Sequence, residues 1–118
     1  MAEDRIVVYR HPNQEMRSYI ISEAVSEYRV EHFTQPLQKQ HEEILRSLGI
    51  IGRRVVEGIV RLSGVQEVTI KPKEVIVKKG LTATWEDLEP EILHILNHAV
   101  RQKRLRVVKK GPEKKLLS

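Results

Sequence analysis

Residues 63–97 read SGVQEVTIKPKEVIVKKGLTATWEDLEPEILHILN, and this stretch decides the fold. It spells strand, tight turn, strand, loop and helix. Gly64 lies past the end of a preceding helix, where the chain often needs a positive φ. Val65, Val68 and Ile70 form a first strand, and Lys71-Pro72-Lys73-Glu74 is turn chemistry, with Pro72 fixing φ and offering no N–H. Val75, Ile76 and Val77 form a second strand, since β-branched residues suit a pleated surface. Gly80 ends it. Thr84, with Asp87 three residues on, approaches a capping box, and Leu88, Ile92, Ile95 and Ala99 then recur at helical spacing.

Upstream, Arg5 to Arg10 forms a short strand, residues 11–14 a turn, and Met16 to Ser22 a second strand with Met16, Ser18 and Ile20 on one face. Tyr28, Val30 and His32 alternate with charged neighbours, which favours a third, edge strand within 23–33. Thr34 is expected to cap a helix beginning near Pro36. Leu37, Ile44, Leu48, Ile51, Val55, Ile59 and Leu62 then hold near-helical spacing, interrupted by Gly49 and Gly52. Each glycine costs about 1 kcal/mol in a helix relative to Ala, so a break or kink is expected there. The sum is an α+β fold: an antiparallel sheet of three to five strands with two main helical segments on one face, and a basic C-terminal tail.

At 118 residues the chain is one domain with a tail. It has no cysteine, which excludes disulfides, thiolate metal sites and cysteine nucleophiles, and suits a cytoplasmic protein. The N-terminus is acidic without an apolar signal core, and no apolar run reaches the ~20 residues that span a bilayer, so no membrane partner is expected. The net charge of +5 divides unevenly. Residues 101–118 carry eight bases and one acid, about +7, whereas the rest carries 13 bases and 15 acids, about −2. The basic excess is therefore an appendage, expected to be at least partly disordered beyond the Gly111-Pro112 breaker, although Arg101 to Val108 could extend the last helix or add a strand.

The pattern Gly64-Val65, Val68, Pro72, Val75, Val77, Lys79, Trp85, Leu88, Pro90 and Ile92 resembles the N-terminal domain of the Nfu/NifU-like iron–sulfur cluster scaffold proteins. There a Gly-Val opens a β-hairpin, and a Trp, a Leu, a Pro and an Ile follow at these spacings on the last helix. The match is ungapped from Gly64 to Ile95. Farther upstream, Pro12-Asn13 and Met16-Arg17 resemble the family's early Pro-Asn segment after a small gap, and residues 27–46 exceed the length that the resemblance suggests. It implies a family-like domain over residues 1–100 and an extension over 101–118. It also implies a non-catalytic module that recognises protein partners or clients of iron–sulfur assembly. In the family a separate C-terminal domain holds the cluster with a C-x-x-C. This chain has no cysteine, so no cofactor and no ligand residue carries over. Pro12, Asn13 and Trp85 are the expected contact surface, although Trp85, just inside a helix start, reads first as a core anchor that clamps the helix onto the sheet with its N–H on a partner. An exposed Trp85 would instead suggest a partner-binding anchor.

Other motifs point elsewhere. Gly49-Ile50-Ile51-Gly52 before Arg53-Arg54 is a G-x-x-G between helical segments, the loop by which KH domains clamp a nucleic-acid backbone. KH loops usually carry a base between the glycines. Here both residues are isoleucines, which favours a kink that admits Ile50 or Ile51 to the core. A nucleic-acid partner is the alternative reading, through Arg53 and Arg54 or through the tail bases Arg101, Lys103, Arg104, Arg106, Lys109 and Lys110. The tail has no aromatics for base stacking, so such binding would be salt-sensitive and unselective. Glu91, His94 and His98 share one helix face, read as solvated, opposite Ile92, Ile95 and Ala99. His41-Glu42 begins like a zincin motif, but Leu45 stands where the second His belongs. No phosphate-binding loop, nucleophile elbow or dinucleotide fingerprint is present, so no enzyme is expected.

Overall fold

The computed structural model describes residues 6–27 and 30–117, with side chains as far as Leu105. The strands are β1 (Val7–Arg10), β2 (Met16–Ile20), β3 (Glu31–Thr34), β4 (Val65–Lys71) and β5 (Glu74–Lys79). A 3-10 turn (Lys39–His41) and the helices α1 (Glu42–Ser47) and α2 (Gly49–Val60) fall between β3 and β4, and α3 (Trp85–Leu117) closes the chain. The strands form one antiparallel sheet in the order β1-β2-β5-β4-β3.

The β4–β5 hairpin is the centre of the sheet. Lys71 pairs with Glu74, leaving Pro72-Lys73 as a two-residue turn. A register shift between Val65 and Glu67 makes Gln66 an extra residue, a β-bulge. Bulging explains how Val65 and Val68, three apart, are both buried in a structure of period two. Val68, Ile70, Val75 and Val77 face inward together with Tyr19 and Phe33. Against them α2 buries Ile51, Val55, Val56, Ile59 and Val60, and α3 buries Leu88, Ile92, Leu96, Ala99 and Val100. Each such side chain contributes roughly 1.5–3 kcal/mol by leaving water. The opposite sheet face leaves Val7, Tyr9 and Ile20 exposed. Gly64 has φ +97°, as a residue past a helix end requires.

Four local expectations change. The third strand is only Glu31–Thr34, at the sheet edge on β4 (Tyr28 and Arg29 lie outside the described residues). Thr34 caps no helix; it is the last residue of β3, paired with Glu67. Helix begins later because Gln35 is held elsewhere, its N–H on Gln66 O at 3.0 Å and its Nε2 on Val60 O at 2.6 Å. Of the two central glycines only Gly49 marks a break, with φ +89° between α1 and α2. Gly52 is buried inside α2 because the segment after β2 packs on it: an added Cβ would lie 2.8 Å from Ser26 Cβ.

The fourth concerns the C-terminal part. Helix α3 continues past Val100 to Leu117, so helical extension is the observed outcome for 101–108. Its first turns beyond Val100 are tied to the body. Arg104 Nε lies 3.3 Å from Glu23 Oε2, and Arg54 Nη1 reaches Gln102 Oε1 at 3.5 Å. Helical backbone also runs through Gly111-Pro112, where a break was expected; a proline removes one helical hydrogen bond and can kink a helix without ending it. No described helix is long and apolar enough to cross a membrane.

Candidate functional site

The turn between β1 and β2 is shaped by its own residues. Asn13 Oδ1 accepts a hydrogen bond from Glu15 N at 3.0 Å, and Asn13 O accepts one from Met16 N at 3.0 Å. This is the local geometry that Asn favours, and it leaves Pro12 and Asn13 exposed. Across from the turn, the N–H of Gly80 donates to Gly64 O at 2.8 Å and brings the end of β5 back to the start of β4. The chain then enters α3 through Thr84, whose Oγ1 accepts from Asp87 N at 3.3 Å.

Trp85 joins the two segments. Its indole Nε1 donates to Gln14 O at 2.8 Å, and the Arg17 guanidinium carbon lies 4.9 Å from the centre of its ring. Arg17 Nη1 in turn donates to Glu89 Oε1 at 2.6 Å, and the Tyr19 hydroxyl donates to the same oxygen at 3.0 Å. Burial first, and the adjacent Glu89 carboxylate second, hold the Tyr19 hydroxyl protonated far above its usual range. A four-residue line thus runs from the core at Tyr19 through Glu89 and Arg17 to Trp85. It fixes α3 against β2 and holds the half-buried indole at the surface.

A cleft of about 420 Å³ opens where the turn, β5 and the start of α3 meet. Arg10, His11, Arg17, Lys79, Thr84 and Trp85 line it, with Met16 and Ala83 among the apolar contributors. His11 Nε2 is 2.6 Å from Ser18 Oγ, and its ring meets Tyr9 edge-on at 5.0 Å between centroids. Lys79 Nζ donates to Gly80 O at 3.2 Å.

The structure thus brings Trp85 against the β1–β2 turn at Gln14, next in sequence to Asn13; Pro12 and Asn13 are exposed on that turn but are not among the residues that line the cleft. Arg10, Arg17, Lys79 and Glu89 complete that junction. Sequence reasoning missed them because they come from three strands and a helix with no shared spacing. The one available signal was the alternation Val75, Val77, Lys79, which puts Lys79 on the inward face at the end of β5.

The nucleic-acid candidates are scattered. Arg53 binds Glu42 through Nη1 at 2.8 Å and Glu57 through Nε at 3.1 Å, and these acceptors raise its pKa further. Gly52 is covered by Ser26, so the G-x-x-G presents no open backbone for a phosphate. Ile51 enters the core while Ile50 stays 58% exposed, the arrangement expected of a kink. Arg54 and Arg101 are exposed, and Lys103 and Arg104 are half-buried. Arg106, Lys109 and Lys110 belong to α3, but their side chains lie outside the described residues.

Glu91, His94 and His98 are all exposed. His94 and His98 do not lie opposite Ile95 and Ala99 as expected: neighbouring helix positions put all four at the rim and wall of a second cavity, of about 250 Å³, between α2 and α3, with Val55 across from them. Among the described residues no group of three or more His, Cys, Asp or Glu is placed to hold a metal ion.

No protein-family model and no curated protein matches the sequence. Solved structures do match in fold. A NifU-like protein from Saccharomyces cerevisiae superposes with a TM-score of 0.58 at 15% identity, over 80% of this chain and 76% of the other. The Staphylococcus aureus protein SAV1430 superposes in its crystal structure with a TM-score of 0.56 at 17% identity, over 77% of this chain and 96% of the other. Its solution structure gives 0.52 at 18% identity, over 77% of this chain and 87% of the other. At these identities the likeness is one of fold. The α+β sheet-and-helix arrangement that the stretch 63–97 led us to expect is shared with a NifU-like protein.

Proposed function

We propose that this chain is a non-catalytic, cytoplasmic protein-recognition module of iron–sulfur cluster assembly, and that the cleft beside Trp85 is where a partner or client docks. One observation carries this reading: Trp85 is anchored by its N–H on Gln14 O yet keeps its ring at the mouth of an open cleft. The ring packs in part against the core and in part lines the cleft, so it is not enclosed. A tryptophan held rigidly at the surface, with an arginine over its ring, has the form of an interface anchor. The fold likeness to a NifU-like protein and the sequence pattern from Gly64 to Ile95 support the link to cluster assembly. With no thiolate of its own, the chain would act on proteins that carry a cluster and would not hold the cluster itself.

A photo-crosslinking amino acid at Asn13, compared with one at Glu43 on α1, tests the reading in the source cells. Both positions are exposed. Crosslinks from position 13 to an iron–sulfur assembly protein or an apo-recipient, absent from position 43, are expected. Equal labelling from both positions would contradict it.

A further inference from the structure

We infer that the cleft recognises a carboxylate group of an acidic peptide segment. This rests on the reading of the cleft as a docking surface and names the chemistry it selects. Every charged side chain lining the cleft is basic: Arg10, Arg17 and Lys79, with His11 beside them. Arg17 is committed to Glu89. Arg10 and Lys79 have no acidic partner among the described residues, so two positive charges face the space unbalanced. Thr84 lines the same space and caps α3, so the first turn of that helix adjoins the cleft, with Glu86 and Asp87 on that turn offsetting the helix's positive end. The indole, Met16 and Ala83 supply an apolar wall for the chain that carries the anion.

The surroundings select against a polyanion. Glu15 flanks the cleft in the turn, and Glu86 and Asp87 follow Trp85 directly on the first turn of α3. None of the three lines the cleft, but negative charge on the neighbouring positions disfavours a long polyanion more than a single carboxylate. The volume of about 420 Å³ falls within the range of sites that enclose a small ligand or a few side chains. The carboxylate is that of an Asp or Glu side chain within the segment.

Trp85 is the only tryptophan, so its fluorescence reports this cleft alone. The full chain is titrated with an acetylated, amidated Gly-Glu-Leu-Glu-Gly peptide, with its Gln counterpart, and with that Gln peptide bearing a free C-terminal carboxylate. A saturable change is expected with the Glu peptide, and tighter binding of the free-carboxylate Gln peptide would overturn the assignment to a side chain. The neutral amidated peptide should bind at least about tenfold more weakly, the usual loss when a charge-assisted hydrogen bond goes. Arg10→Gln and Lys79→Gln should each weaken the charged peptide about tenfold, while Arg54→Gln, at the other cavity, changes nothing. Equal binding of neutral and charged peptides, no saturable change with any peptide, or tighter binding of a short single-stranded oligonucleotide that displaces the peptide would each overturn the inference. Specific crosslinks from position 13 together with equal peptide binding would leave the docking surface standing and remove only its preference for carboxylate.

Discussion

Glu89→Ala removes the residue that links the core to Trp85. Glu89 Oε1 is the shared acceptor for Arg17 Nη1 at 2.6 Å and Tyr19 Oη at 3.0 Å. Tyr19 is 0% exposed, so its hydroxyl would lose its acceptor inside the protein. An unsatisfied buried donor costs about 1–3 kcal/mol. The Arg17 side chain, 15% exposed, would lose its partner as well. Water still reaches that pair, so its share is held to roughly 1 kcal/mol. The expected loss is therefore about 2–4 kcal/mol. At 118 residues the unfolding entropy makes 1 kcal/mol worth roughly 4 °C, so Tm should fall by about 8–16 °C. Glu89→Gln keeps an acceptor for Tyr19 and loses the ion pair, and should fall by about half as much. Far-UV circular dichroism melts of both variants measure this. If both melt within about 2 °C of the parent, the line from Tyr19 to Trp85 carries no load and the anchored indole has another cause.

Tyr19 also sets a pH signature. Its folded pKa is raised above the unfolded value of 10.0, so its contribution is complete below pH 10 and is lost as pH rises beyond, at about 1.4 kcal/mol per pH unit. Urea titrations across alkaline pH should show this slope in the parent and not in Tyr19→Phe. Ile92→Asp places an unpaired charge at a site 0% exposed and should unfold the domain, whereas exposed His94→Ala should shift Tm by less than about 2 °C; a large loss at His94 would mean that the α2–α3 cavity matters. Gly64→Ala forces a side chain onto φ +97° and sets its Cβ 2.5 Å from Ala83 Cβ. It should cost about 2–4 kcal/mol, against less than about 1 kcal/mol for Gly80→Ala, where only the flexible Gln66 amide is near; equal melts would contradict the strain argument.

The hairpin, its two-residue turn, the cap at Thr84 and the buried stripe of α3 were legible because each is a local rule: β-branched alternation, proline at a turn, and a helical period of apolar residues. Even there the bulge at Gln66 was hidden, since only pairing with β5 reveals it. Thr34 misled for a related reason. Thr caps helices and also suits strands, and the deciding contacts of Gln35 lie on Gln66 and Val60, far along the chain. Gly49 and Gly52 look alike in sequence, yet one bends the chain and the other gives room to Ser26. The cleft was half legible. Trp85 and the Pro12-Asn13 turn stood out as residue types, but the bases that give the cleft its charge come from separate strands. Charge counting also pointed away from it, because the surplus sits beyond Val100 while the cleft draws on a body of about −2.

The central claim is that the Trp85 cleft passes this protein's effect to iron–sulfur proteins. Its most direct test is the activity per enzyme molecule of a cluster-dependent dehydratase in source cells lacking the gene, restored with the parent chain, Trp85→Ala or Arg54→Gln. Each variant is first shown to melt as a folded protein. The account predicts that activity falls in the deletion and returns with the parent and with Arg54→Gln. Trp85→Ala should leave activity at the deletion level. Full restoration by a folded Trp85→Ala chain, or undiminished activity in the deletion, would contradict it.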